Sequence, residues 1–223
     1  MRATSTAVIL VAAGRSNRMG RSGDKVWKAV AGRPILFYSI LAFLKAGLRD
    51  LVVVVRPGQR GLATRRLKAV TSRARLTVVE GGKERQDSVW NGATASAAEF
   101  VLVHDVARPA VSVRVIRAVW EGSVRHGACI PVVPANDTLK RISRNRVVST
   151  VDREGIFCVQ TPQGFRRSIL LEALTTARTR GWRGTDCAGL VEKLGRPVIA
   201  VVGDQTNLKV TRPEDLRIFE RLL

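Results

Sequence analysis

Short apolar runs alternate along the chain with stretches whose apolar positions return at helical spacing. Val8 to Ala13 (VILVAA), LVVVV at 51–55 and LTVVE at 76–80 read as buried strands, as do FVLVHDVARP at 100–109, ACIPVVP, and PVIAVVG at 197–203. Between them, Ile35, Leu36, Ser39, Ile40, Phe43 and Leu44 trace one helix face that opens at Pro34 and closes at Gly47. Residues 60–70, 112–126 and about 167–179 read as further helices. Uninterrupted apolar strands are buried on both faces, so the pattern predicts an α/β fold on a doubly wound, mainly parallel sheet. Ligands of such sheets bind beyond the carboxyl ends of the strands, which directs the search for chemistry to the loops that follow them.

One stretch breaks the alternation. NDTLKRISRNRVVSTVDREG, at 136–155, holds short alternating runs around a turn at Ser143 to Asn145, and predicts a β-hairpin arm that exposes Arg141, Arg144, Arg146 and Arg153. A lone hairpin is marginally stable, so the arm predicts dimerisation against a second copy. The 223 residues otherwise contain no Pro/Gly/Ser-rich linker, and a single domain over 1–223 is expected.

Neither a signal peptide nor a membrane span fits the opening MRATSTAVILVAAG. Cys129, Cys158 and Cys187 are odd in number and widely spaced, which points to reduced thiols and a cytoplasmic protein. Net charge is +20, carried mostly by arginine. That balance raises a nucleic-acid surface as one reading, but the basic run from Arg56 to Arg75 holds no stacking aromatics, which makes nucleic acid an unfavoured partner.

The first strand runs into a loop with Gly14, Gly20 and Gly23 among Arg15, Arg18, Arg21, Lys25 and Lys28. Glycines let backbone N–H groups approach an anion, and the cations name a polyphosphate as the ligand, against the plainer reading of a solvated basic loop. The spacing excludes a Walker loop, because Arg21 follows Gly20 where Gly-Lys-Ser/Thr is required. The dinucleotide fingerprint is also absent, with Ser16 in place of its second glycine. Two more strand ends converge on the same edge. Gly81 and Gly82 precede a helix start near Asp87 or Ser88, and His104, Asp105 and Arg108 close the fourth strand. Asp105 suits a magnesium ion held mainly by nucleotide phosphates, or else caps a turn or pairs with Arg108; His104 reads as a structural hydrogen-bonder. Thr185 and Asp186 resemble the start of a short helix, and Lys209 lies in a short strand-like segment before Pro213.

Taken together, AAGRSNRMG with Lys25, GGKERQDSV, LVHDVARP, NDTLKR, TVDR, QTPQGF, TDCAGLVEKLG and NLKVTRPEDL closely resemble the 2-C-methyl-D-erythritol 4-phosphate cytidylyltransferase family, in family order across almost the entire chain. The resemblance implies a Rossmann-like homodimer that joins CTP to methylerythritol phosphate, a sugar-alcohol phosphate, with Mg²⁺ and releases pyrophosphate in nonmevalonate isoprenoid precursor synthesis. It assigns nucleotide binding to Ala12, Ala13, Gly14, Gly82, Lys83 and Ser88, and the triphosphate to Arg18 and Lys25. It assigns magnesium to Asp105, and the sugar phosphate to Arg108, Thr138, Arg153, Thr185 and Lys209. Arg18, Lys25, Arg153 and Lys209 are its catalytic cations, with Thr138 and Arg153 serving the neighbouring subunit. Departures from the family pattern fall at Ser16, Asp24, Lys83, Cys187 and Gly189, and none removes a proposed catalytic group. A related ribitol 5-phosphate cytidylyltransferase is the alternative within this chemistry, and a basic nucleic-acid-binding protein is the alternative outside it.

Overall fold

The computed structural model describes residues 5–14 and 25–223, the side chain of Lys25 excepted. In chain order its elements are β1 (Thr6–Val11), β2 (Ala29–Val30), β3 (Arg33–Pro34), α1 (Ile35–Lys45), β4 (Asp50–Val55), α2 (Arg60–Lys68), β5 (Arg75–Glu80), α3 (Arg85–Thr94) and β6 (Phe100–Asp105). There follow α4 (Val113–His126), β7 (Ala128–Pro134), β8 (Leu139–Ser143), β9 (Arg146–Val151), β10 (Phe157–Val159), β11 (Gln163–Arg166), α5 (Arg167–Thr179), α6 (Ala188–Lys193), β12 (Ile199–Val202) and α7 (Pro213–Glu220). A short 3₁₀ turn, Lys25–Trp27, precedes β2.

The main sheet runs β10-β7-β11-β6-β1-β4-β5, with β12 also paired to β7. β5, β4, β1 and β6 are mutually parallel, and β12 is parallel to β7. β11 enters antiparallel between β6 and β7. The apolar runs serve two cores by alternation, since successive side chains of a strand point to opposite faces. Val8, Leu10, Leu51, Val53 and Leu102 pack under α1, α4 and α7, while Ile9, Val52, Val54, Val101 and Val103 pack under α3, α5 and α6.

Helix ends follow local chemistry. Ser112 accepts from Val115 N to start α4, and Gly127, at φ +87°, ends it. At α3 the cap is Glu84 rather than Asp87 or Ser88; Asp87 answers it from the third helical position by accepting from Glu84 N at 3.1 Å.

The arm is β8 paired antiparallel with β9, and Arg144 and Asn145 take positive φ at its turn. Ala135 N donates to Ile156 O at 3.1 Å across its base, and no residue from 135 to 156 is buried. Two local expectations change. The segment around Lys209 forms no strand, because it lies past the sheet and hangs from Ala107 O through Val210 N at 2.7 Å. The helix after Thr185 begins only at Ala188, because the Asp186 carboxylate accepts from Gly189 N at 3.0 Å and closes the preceding turn.

Candidate active site at the carboxyl edge of the sheet

Three strand ends meet where β1, β5 and β6 stop. Ala12 N donates to Val54 O at 2.8 Å, which carries the first strand's course one residue further, and Gly14 O accepts from Arg56 Nη2 at 2.8 Å. Beside it the Gly81–Gly82 turn packs so closely that a Cβ on Gly81 would stand 2.4 Å from Ala13 Cβ, and one on Gly82 2.2 Å from Asp87 Cβ. Only glycine fits at either position. Ser88 is turned inward: its hydroxyl donates to Glu84 O at 3.1 Å and accepts from Gly82 N at 3.2 Å, so it shapes the turn from beneath. Lys83 is exposed. Arg18, together with Ser16 and Asp24, lies outside the described residues, as does the side chain of Lys25.

The neighbouring cleft, about 430 Å³, is lined among others by Arg85, Asp105, Arg108, Thr185 and Lys209. Asp105 at the end of β6 is its electrostatic centre. Arg85 Nε donates to Asp105 Oδ1 and Lys209 Nζ to Oδ2, both at 2.9 Å. Of the readings open for Asp105, a pair with Arg108 is not formed, because Arg108 spends its guanidinium on carbonyls, Asn207 O at 2.7 Å and Val159 O at 3.3 Å. Burial acts to raise the Asp105 pKa, but the charges of Arg85 and Lys209 and their hydrogen bonds outweigh it and hold the carboxyl well below the usual range. Arg85 Nη1 also reaches Cys187 Sγ at 3.5 Å, which joins α3 and β6 to the start of α6.

Sequence reasoning passed over Arg85. The signal was present: a cation in the first helical turn faces the positive end of the helix dipole and calls for an anion beside it. Thr138 and Arg153 are not brought to this cleft. Both are exposed on or beside the arm, where Arg153 Nη1 donates to Asn136 O.

His104 lies beneath the site, fully buried and edge-on to Phe43 with ring centroids 5.2 Å apart. Its Nε2 lies 3.2 Å from Arg108 O, and a carbonyl only accepts, so Nε2 carries the proton. Nδ1 then accepts from Thr161 Oγ1 at 3.0 Å, and that hydroxyl accepts from Asp105 N at 3.2 Å. A neutral imidazole thus ties Asp105 to Arg108. Burial is the chief cause that pushes its pKa down to about 4. With the folded pKa below the unfolded value near 6.5, protonation favours the unfolded chain; the stability is whole above about pH 6.5 and drains as pH falls toward 4. Unfolding titrations are expected to lose about 3 kcal/mol over that window through this residue, and His104→Gln, less stable at neutrality, is expected to flatten the slope.

A metal ion at this edge would rely on Asp105. Among the described residues no group of three or more His, Cys, Asp or Glu side chains converges into a cage for an ion. A single ionised carboxylate fits a hard cation that keeps phosphate and water ligands.

Some of the arginines lie over the protein's own rings. Arg66 lies over Trp27, Arg178 over Trp90, Arg166 over Phe100 and Arg180 over Trp182. Those faces are therefore covered on one side and offer a poorer stacking platform for bases. No helix among the described residues is long and apolar enough to cross a membrane.

A family model described as 2-C-methyl-D-erythritol 4-phosphate cytidylyltransferase matches residues 6–223. The chain is 39% identical over 217 residues to the protein of that name from Geobacillus thermodenitrificans, covering 96% of this chain and 95% of the relative. It is 41% identical over 224 residues to the one from Pelotomaculum thermopropionicum, covering 97% and 93%. The crystal structure of the Thermus thermophilus protein of the same name superposes with a TM-score of 0.82 at 36% identity, covering 96% of each chain. With sequence and fold agreeing over nearly the whole length, the chain belongs to the 2-C-methyl-D-erythritol 4-phosphate cytidylyltransferase family.

Proposed function

We propose that this chain transfers the cytidylyl group of CTP to 2-C-methyl-D-erythritol 4-phosphate, releasing pyrophosphate, as a cytoplasmic step of isoprenoid precursor synthesis. The observation that carries the reading is the cleft in which Arg85 and Lys209 meet Asp105, set beside the Gly81–Gly82 turn in a chain of this family. A phosphate oxygen of the acceptor attacks the α-phosphorus of CTP, a new P–O bond forms, and the bond to the β-phosphate oxygen breaks in line. The acceptor phosphate is largely a dianion at neutral pH, so no general base is required. Bringing two polyanions together is the difficulty, and cations set in place before binding meet it.

Arg18 and Lys25 hold the triphosphate, Ala12, Ala13, Gly14, Gly82 and Lys83 border the nucleoside, and Ser88 supports the turn that meets it. Arg108, Thr185 and Lys209 receive the acceptor. Asp105 would hold Mg²⁺ jointly with the nucleotide; that ion supplies charge neutralisation at the transferred phosphorus.

Thr138 and Arg153 of the partner subunit complete the cleft in a homodimer joined by the arm. Support comes from apolar side chains left in water: Ile142 and Val147, paired across the hairpin, Phe157 at 51% exposure and Val202 at 75%. Isolated hydrophobic side chains on a surface are ordinary, but these belong to an arm and a sheet edge that expose them together. Ile142→Asp combined with Val147→Asp is expected to give a folded monomer with strongly reduced turnover; sedimentation equilibrium at micromolar concentration checks it, and an intact dimer refutes the arm's role.

The test of the function is pyrophosphate release with CTP and Mg²⁺, comparing methylerythritol phosphate with ribitol 5-phosphate and running ATP, GTP and UTP beside them. Turnover confined to CTP and methylerythritol phosphate is expected. Preference for ribitol phosphate would refute the acceptor and keep the chemistry.

A further inference from the structure

Asp105 carries two cations at once, and they are held differently. Arg85 rises from the first turn of α3, is mostly covered, and is gripped on its far side by Cys187 Sγ. Withdrawing it would strand a carboxylate that is itself only 13% exposed. Lys209 approaches the other oxygen from the solvent side, with 44% of its side chain exposed. Among the described residues Asp105 is its only ionic or hydrogen-bonding side-chain partner. Its backbone is pinned on both sides, by Arg108 Nη1 on Asn207 O and by Val210 N on Ala107 O, each at 2.7 Å. A flexible stem on a fixed root can move its ammonium without leaving the cleft it shares with Arg108 and Thr185.

Resting on the functional reading above, we propose that Arg85 is the fixed positioning partner of Asp105 and Lys209 the exchangeable one. Asp105 gives up Lys209 when the metal–nucleotide arrives, and the freed ammonium takes the phosphate of the acceptor. No covalent step is involved. A carboxylate oxygen already paired with an ammonium has less charge to offer a divalent cation, and a paired ammonium has less to offer a phosphate. Either ligand arriving alone must break the Lys209–Asp105 pair, and whichever breaks it does so for the other. Because binding linkage is reciprocal, the metal–nucleotide tightens the acceptor by the same factor as the acceptor tightens the metal–nucleotide.

The experiment is calorimetric titration of methylerythritol phosphate into the full chain, with and without Mg²⁺ and a CTP analogue whose α,β-bridging oxygen is replaced by methylene to block turnover. The acceptor Kd is expected to fall about 10-fold with the Mg²⁺–analogue and to lose that gain when EDTA replaces Mg²⁺. Lys209→Met is expected to bind the acceptor weakly and without coupling. Asp105→Asn is expected to bind it more tightly than wild type in the absence of metal, and to gain nothing further from the metal–nucleotide. In a Lys209→Met background the Asp105→Asn change should leave acceptor affinity unmoved, which separates a freed ammonium from a general loss of negative charge. Should Asp105→Asn fail to fold, the Lys209→Met titration decides alone. Both ligands binding wild type without coupling, or a full gain persisting in Lys209→Met, overturns the exchange and leaves cytidylyl transfer standing. Failure of either ligand to bind folded wild type overturns both.

Discussion

Lys25→Ala is expected to keep the fold and lower pyrophosphate release about 10²–10³-fold, the usual consequence of deleting one donor aimed at charge that develops in a transition state. The fold is spared because the chain is anchored immediately after this position. Val26 is 3% exposed in the core beneath α1, and the Lys25–Trp27 turn leads directly into the β2–β3 pair. An anchored backbone leaves less of the residue to order when a nucleotide arrives, and ordering in advance is a general source of rate advantage. Far-ultraviolet circular dichroism and a melting curve establish the fold, and a stopped or continuous pyrophosphate assay the rate. Wild-type turnover in this variant would remove Lys25 from the catalytic set.

Arg85→Gln is expected to destabilise the protein by about 3 kcal/mol, at the lower end for breaking a buried pair because Lys209 still faces the second oxygen of Asp105. Glutamine retains hydrogen-bonding capacity but no charge, so a largely covered carboxylate would keep only its exposed partner. Arg85→Lys is expected to recover part of the loss, since an ammonium restores the charge without the planar fork that meets Asp105 and Cys187 together. Urea unfolding of the single variants and of Arg85→Gln with Asp105→Asn checks the route. Coupling through Asp105 makes the double variant cost less than the sum of the two, whereas strict additivity would show Arg85 acting elsewhere.

The sheet was legible in the sequence because its central strands are buried on both faces. A run such as LVVVV admits few other placements, and β4 sits at Asp50–Val55 in the middle of the parallel strands. Helix boundaries were legible where a proline or glycine marked them, as at Pro34 and Gly47. The antiparallel entry of β11 was not, since nothing within QTPQGF shows that β6 and β7 lie on either side of it. In the cleft, motif order brought Asp105, Arg108, Thr185 and Lys209 into view singly. Their partnerships were hidden because each joins distant parts of the chain: Lys209 meets Asp105 across 104 positions, and Arg85 meets Cys187 across 102. A contact of that kind leaves no periodicity to read.

The arm leaves the sheet after Pro134 and returns at Phe157, and its two ends are already hydrogen-bonded where Ala135 meets Ile156. Every buried residue of the chain lies outside this excursion. The stability of a single subunit is therefore nearly indifferent to what the arm contains, and selection for folding exerts little hold on its length or composition. In the homodimer proposed above, the constraint on those residues acts between copies. It follows that choice of mate, and the exclusion of foreign chains with the same core, can drift or be re-engineered in this segment without renegotiating the fold that bears it.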